Sequence, residues 1–255
     1  MRNKPERLWS HLYLATTSKG YEWILKLAAS APEAYALKYF GGSPEPVERP
    51  EFSVKNAVAF EKALSEGNRP LLYGDGYYVD AMQYEETTAE VRVFAKSVTV
   101  ATDLLRTWFP VLASEGMIYG WAGLSSEEDE RNGYWLGRVG TDQRKAHGWV
   151  GRDYRRYVPG LYWLNYFSCQ YAKVHGVDLE SLALRTTGRL QRFEHGGLLE
   201  LYESPEEWRD KNDLVAEVLK STPGFFSKGH AAIPQMVAAP LQFENVMDEL
   251  HKKWP

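Results

Sequence analysis

Apolar and polar residues alternate from Leu8 to Ala15, with Leu12 and Leu14 on one side and His11 and Tyr13 on the other, so a first β-strand is predicted. The period then lengthens. A helix starting near Lys19 carries Trp23 and Leu27 until Pro32 interrupts it. Gly41-Gly42-Ser43-Pro44-Glu45-Pro46, continuing to Pro50, reads as a loop. Ser53 is the candidate N-cap of a second helix, with an apolar stripe of Val54, Ala57, Val58 and Leu64 on which Glu61 intrudes, and Gly67 closes it.

Short alternating runs fill Leu71 to Ala95, with Gly74-Asp75-Gly76 as a turn and Ala89 to Ala95 as a strand. Thr99 to Ala113 has helical spacing through Ala101, Leu104, Leu105, Trp108 and Leu112, and Pro110 is expected to kink or end it early. A strand over Met117 to Leu124 and an acidic loop at Glu127-Glu128-Asp129-Glu130 follow. Leu161 to Phe167 has strand length, and Gln170 to His175 and Asp178 to Ala183 make short helices around Gly176. Arg189 to Glu194 and Leu198 to Tyr202 flank His195-Gly196-Gly197 as a hairpin. Ser204-Pro205-Glu206-Glu207 starts a helix running to about Ser221, where Pro223-Gly224 stops it. The stretch from Phe225 to Pro240 is irregular, and Leu241 to Lys252 is a last helix.

Strands and helices are interspersed and at least one hairpin is present. The expected class is α+β, a mainly antiparallel sheet with helices packed on it. The loop at 41–50 leaves too short an N-terminal piece to stand alone, so residues 1–255 are expected to form a single domain. Trp121, Trp135, Trp149 and Trp163 fall 14 residues apart. A hairpin-sized repeat would produce that spacing, but the residues between them share almost nothing, which favours coincidence.

Composition adds an aromatic bias: 9 Trp, 16 Tyr and 10 Phe make 14% of the chain. Such rings fit an aromatic core between sheet and helices, or a protein-binding face. The formal charge of −4 gives no overall footprint for nucleic acid, although Arg138, Arg144, Lys145, Arg152, Arg155 and Arg156 crowd one stretch near Tyr154 and Tyr157. With Cys169 alone, neither an intramolecular disulfide nor a multi-thiolate metal site can form. No apolar run approaches the ~20 residues that span a bilayer, and the charged start Met1 to Arg7 has no apolar segment after it. A cytoplasmic protein is the expectation.

No phosphate-binding glycine loop, nucleophile elbow or paired-histidine zinc motif occurs. His11, His147, His175, His195, His230 and His251 are scattered, so a catalytic set could arise only by convergence in the fold. Cys169 is expected as a small buried hydrophobe. No cofactor or metal is implied. Acidic residues gather at Glu85-Glu86, Glu127 to Glu130 and Glu203 to Glu207, the last explained by helix capping. Glu127, Glu128, Asp129 and Glu130, with Glu85 and Glu86, read either as solvated surface or as a patch meeting a basic partner.

The segment Gly116-Met117-Ile118-Tyr119-Gly120-Trp121-Ala122-Gly123, then Gly151-Arg152-Asp153-Tyr154, then Pro159-Gly160-Leu161-Tyr162-Trp163-Leu164-Asn165-Tyr166-Phe167, resembles the type VI secretion immunity-protein family. A later Gly-Gly hairpin of that family is matched at Gly196-Gly197, so the resemblance covers the middle and C-terminal thirds. It implies a cytoplasmic protein that binds and neutralises a cognate antibacterial toxin by stoichiometric occlusion, without turnover. The charge and the hydropathy pattern separately lead to the expectation of no nucleic acid and no membrane as partners. An enzyme whose site converges from distant residues, and a structural or scaffold protein forming a homo-oligomer, are the rival expectations.

Overall fold

The alternating stretch near the N-terminus becomes the middle of a sheet. The computed structural model describes residues 6–15, 21–41, 54–85, 88–132, 134–139, 142–146, 158–222 and 224–225. Its first half runs β1 (Leu8–Ala15), α1 (Glu22–Ser30), β2 (Leu37–Gly41), α2 (Val54–Ser65), β3 (Leu71–Gly74), β4 (Tyr77–Glu85), β5 (Thr88–Ala95) and α3 (Val98–Ser114). The second half runs β6 (Met117–Leu124), α4 (Ser125–Asn132), β7 (Tyr134–Val139), β8 (Asp142–Ala146), β9 (Leu164–Ser168), α5 (Cys169–Val174), α6 (Leu179–Thr186), β10 (Arg189–Phe193), β11 (Gly196–Glu200) and α7 (Trp208–Ser221). Nine strands form one sheet in the order β10-β11-β9-β6-β1-β5-β4-β3-β2. Every neighbouring pair is antiparallel, while β7 and β8 make a separate hairpin. The α+β, mainly antiparallel expectation holds.

Register assigns the faces. Leu12 lies opposite Val91 of β5 and Gly120 of β6. The two-residue period therefore sends Leu8, Ser10, Leu12 and Leu14 to one face together with Val79, Ala81, Val91 and Val93. Helices α1 to α3 cover this face. Trp108 of α3 meets the Tyr77 ring edge-on at 5.6 Å, and its Nε1–H donates to the Leu27 carbonyl of α1 at 3.2 Å. The opposite face carries Trp9, His11, Tyr13, Glu90, Arg92, Tyr119 and Trp121. Helix α5 covers part of it, with Tyr171 stacked on Tyr119 at 4.7 Å. The large rings Trp108, Trp121, Trp163, Tyr119, Tyr162 and Tyr166 are all fully buried, so these six belong to the core.

Several local expectations change. Helix α3 passes through Pro110 to Ser114. Its buried face of Val100, Ala101, Leu104, Leu105, Trp108, Phe109, Leu112 and Ala113 contributes ~1.5–3 kcal/mol per large side chain, which outweighs the ~3 kcal/mol cost of one internal proline. Helix α2 buries Ala57, Phe60 and Leu64, whereas Val54 and Val58 of the expected stripe face solvent. The expected strand at Leu161 starts at Leu164. Before it, the Asn165 side chain brackets Tyr162, accepting from its N–H at 2.9 Å and donating to its carbonyl at 2.6 Å.

The hairpin turn is Glu194-His195, and both glycines lie in β11. A Cβ on Gly196 would come within 2.3 Å of the Phe167 carbonyl oxygen, so glycine is needed for close approach to β9 rather than for the turn. The Ser204 start forms as read, with a capping box between Ser204 and Glu207. Loop 42–50, Ser53, the stretch 226–240 and the helix expected at 241–252 lie outside the described residues. So do Trp149, Arg152, Arg155 and Arg156, and Trp135, Arg138, Arg144 and Lys145 are described through their backbone alone.

Candidate functional site

The acidic run expected as a loop is helix α4, and its carboxylates part company. Glu6 holds the start of the helix: its carboxylate accepts from Ser125 Oγ at 3.2 Å and from Arg209 Nη2 at 2.9 Å. Helical geometry then turns Glu127 inward and Glu130 outward. Glu127 is wholly buried, so it offers no carboxylate to a partner, which corrects the reading of this residue as surface. Glu128 is half-buried and Glu130 exposed. Asp129 and Glu85 are described through their backbone alone, and Glu86 lies outside the described residues.

A buried charge requires partners. Arg131, one turn on, places Nη2 2.9 Å from Glu127 Oε1. Tyr202, just beyond β11, donates its hydroxyl to the same oxygen at 2.7 Å and accepts from Arg131 Nη2 at 2.6 Å. Burial pushes the Glu127 carboxyl up to about 7 against the opposing pull of Arg131 and Tyr202. Burial also raises the Tyr202 phenol. These groups lock α4 to the core.

A second buried glutamate sits mid-sheet. Glu90 of β5 accepts from His11 Nδ1 of β1 at 2.6 Å and from Arg92 Nη2 at 2.6 Å. The His11 ring stacks on Trp121, with centroids 4.9 Å apart. Burial works against the Glu90 charge, but the hydrogen bonds from His11 and Arg92 outweigh it and hold the carboxyl at about 2. The other described histidines have separate settings: His175 is buried against Tyr171, and His195 is exposed on the β10–β11 turn. Cys169 is exposed at the start of α5, not buried as expected. Among the described residues no group of three or more His, Cys, Asp or Glu could hold a metal ion, and no helix is long and apolar enough to cross a membrane.

Among the described residues a cleft of ≈ 490 Å³ lies beside edge strand β10, lined by Arg106, Thr187, Arg189, Glu200, Leu201, Tyr202 and Glu203. Arg106 reaches across from α3 and donates through Nε and Nη2 to Glu200 Oε1 at 3.1 and 2.8 Å. Arg189 bonds the other Glu200 oxygen from the opposite side. Glu200 is thus held between two guanidiniums, and Arg189 keeps 82% of its side chain in solvent. Lys211 of α7 donates to Thr187 Oγ1 at 3.2 Å.

Thr187 is the one non-glycine among the described residues at positive φ, 55°. It ends α6 in the left-handed region, where a β-branched residue is strained. Sequence reasoning missed this site. Its one local signal was Thr187-Gly188, in which glycine stands one position later than a left-handed helix terminus calls for.

No protein-family model matches this chain, and no curated protein matches it. Among solved structures it is similar to the Pseudomonas aeruginosa T6SS protein PA0821, at 11% identity over 76% of this chain and 68% of that one, with a TM-score of 0.46. A likeness to TP0453 has 10% identity over 80% of this chain and 93% of that one, at a TM-score of 0.15. Likenesses this loose assign no function to the chain.

Proposed function

We propose that this chain is an immunity protein that binds and neutralises a cognate antibacterial toxin by stoichiometric occlusion. The reading starts from the family resemblance of the segments around Gly116–Gly123 and Pro159–Phe167. The observation that carries it is the open cleft at the rim of the sheet, bordered by an arginine that is 82% exposed and by a strand whose outer edge pairs with no other strand among the described residues. Such a surface suits a macromolecular partner, because it presents backbone and charged groups together over an extended length. Glu130, exposed on α4, and Glu128 beside it retain the steering role first read for the whole acidic run.

The direct test is co-expression with the secreted toxin encoded beside the gene. Restored growth and a 1:1 complex are the expected results. Continued killing with no complex on co-purification would sink the proposal.

A further inference from the structure

We propose that the free edge of β10 is the docking strand, and that it takes an extended segment of the toxin with alternating apolar and acidic side chains as a tenth strand. This rests on the immunity-protein reading and specifies the surface through which it works.

The backbone pattern fixes which groups are free. Cys169 N–H bonds the His195 carbonyl at 2.8 Å, across the pairing of Gly196 with Ser168. In an antiparallel ladder that bond leaves the N–H and C=O of Gly196 pointing away from β9, toward β10. Gly196, Leu198 and Glu200 therefore bond Phe193, Gln191 and Arg189. The alternate residues, Leu190 and Arg192, turn their N–H and C=O groups outward, where no strand among the described residues follows. Edge strands left in this state accept a further strand from another chain.

Both sides of that edge are furnished. Arg189 points to the α3 side, because it lies opposite Glu200. It stands beside the cleft with most of its guanidinium in solvent. Arg192 points to the α6 side and pairs with Glu180 at 2.6 Å. One turn further along the same face of α6 is Leu184, 81% exposed.

A strand laid along β10 would thus meet an apolar side chain on one face and arginine on the other. Alternation in the partner matches that division: apolar residues toward Leu184, carboxylates toward Arg189. Glu180 is paired with Arg192, and Glu194 lies 3.7 Å from His195 on the turn. Arg106 and Arg189 share the single Glu200 carboxylate, and Arg189 is the partner with most of its side chain in solvent, in a chain whose net charge is −4.

The test uses the full-length protein and the purified neighbouring toxin. Amide exchange at Leu190 and Arg192 should be fast in the free protein and protected in the complex. Leu184→Asp, at an exposed side chain, should weaken binding about tenfold or more while leaving thermal unfolding unchanged. Arg189→Gln, which keeps a hydrogen-bond donor beside Glu200 without its charge, should weaken binding in the same direction, with thermal unfolding measured alongside to separate lost docking from lost stability.

A complex that forms normally, with no protection at Leu190 and Arg192 and no loss in either variant, overturns the docking strand and leaves the immunity reading standing. No complex with the wild-type protein overturns both. A concentration-dependent dimer that protects the same two amides would show the edge to be taken by a second copy, and would overturn the proposal as well.

Discussion

Glu90 and Glu127 are both buried, both hydrogen-bonded and both paired with an arginine, yet their acidities move in opposite directions. Glu90 is held at about 2 and Glu127 is pushed up to about 7. The difference lies in what surrounds each pair. Glu90 has charge-stabilising hydrogen bonds from two side chains, His11 and Arg92, which keep 15% and 20% of their side chains in solvent. Glu127 and Arg131 are at 0% and 3%, so both ions have left water together, and Arg131 Nε and Nη1 are buried without a hydrogen-bond partner. An ion pair stabilises when its partners stay hydrated at the back; enclosed completely, it mainly fixes an arrangement.

The sharpest way to break the comparison is to remove one cation. Arg131→Met should destabilise the protein by ~3–5 kcal/mol, because the Glu127 carboxylate is then buried without a cation. Its folded-state pKa already lies above the ordinary 4.5, so the unfolded chain ionises first and this group's contribution to stability falls as pH rises from 4.5 through about 7. The loss in the variant should therefore be larger at about pH 8 than at about pH 6 in urea unfolding. Equal losses at both would show that Glu127 does not titrate in that range.

Next in size is Glu90→Gln. The folded pKa is depressed, so the stabilisation is present above 4.5 and lost as pH falls toward about 2. The variant should lose on the order of 2–3 kcal/mol at neutral pH and show a flatter acid limb between those values. An unchanged acid limb would remove Glu90 from the account. Smallest is Tyr202→Phe, expected to cost about 1–2 kcal/mol and to raise the Glu127 carboxyl above about 7. Carboxyl NMR titration reads that shift, and a downward move would contradict the hydrogen bond.

Local signals carried much of the fold. The alternation in β1, the Ser204 capping box and the helix start at Asp178, whose side chain accepts from Ser181 N–H at 3.0 Å, were legible because their partners lie within a few positions. Glu127 was misread because its anchor, Tyr202, lies far along the chain. Gly196-Gly197 looked like a turn because glycine serves turns and close approaches alike, and only the neighbouring strand β9 decides between them. The cleft was invisible for the same reason: Arg106, Arg189 and Glu200 come from α3, β10 and β11.

The position of β1 also bears on how the protein is made. Its residues 8–15 lie in the middle of the sheet, between strands at 88–95 and 117–124. At about 5–20 residues per second of synthesis, β1 waits on the order of ten seconds for its neighbours, with Leu12 and Leu14 uncovered. The hairpins joining β3, β4 and β5 can close locally in that interval, but the nine-stranded sheet cannot. Until β6 has left the ribosome, β1 thus lacks a strand partner on at least one side, which is the condition under which apolar strands aggregate.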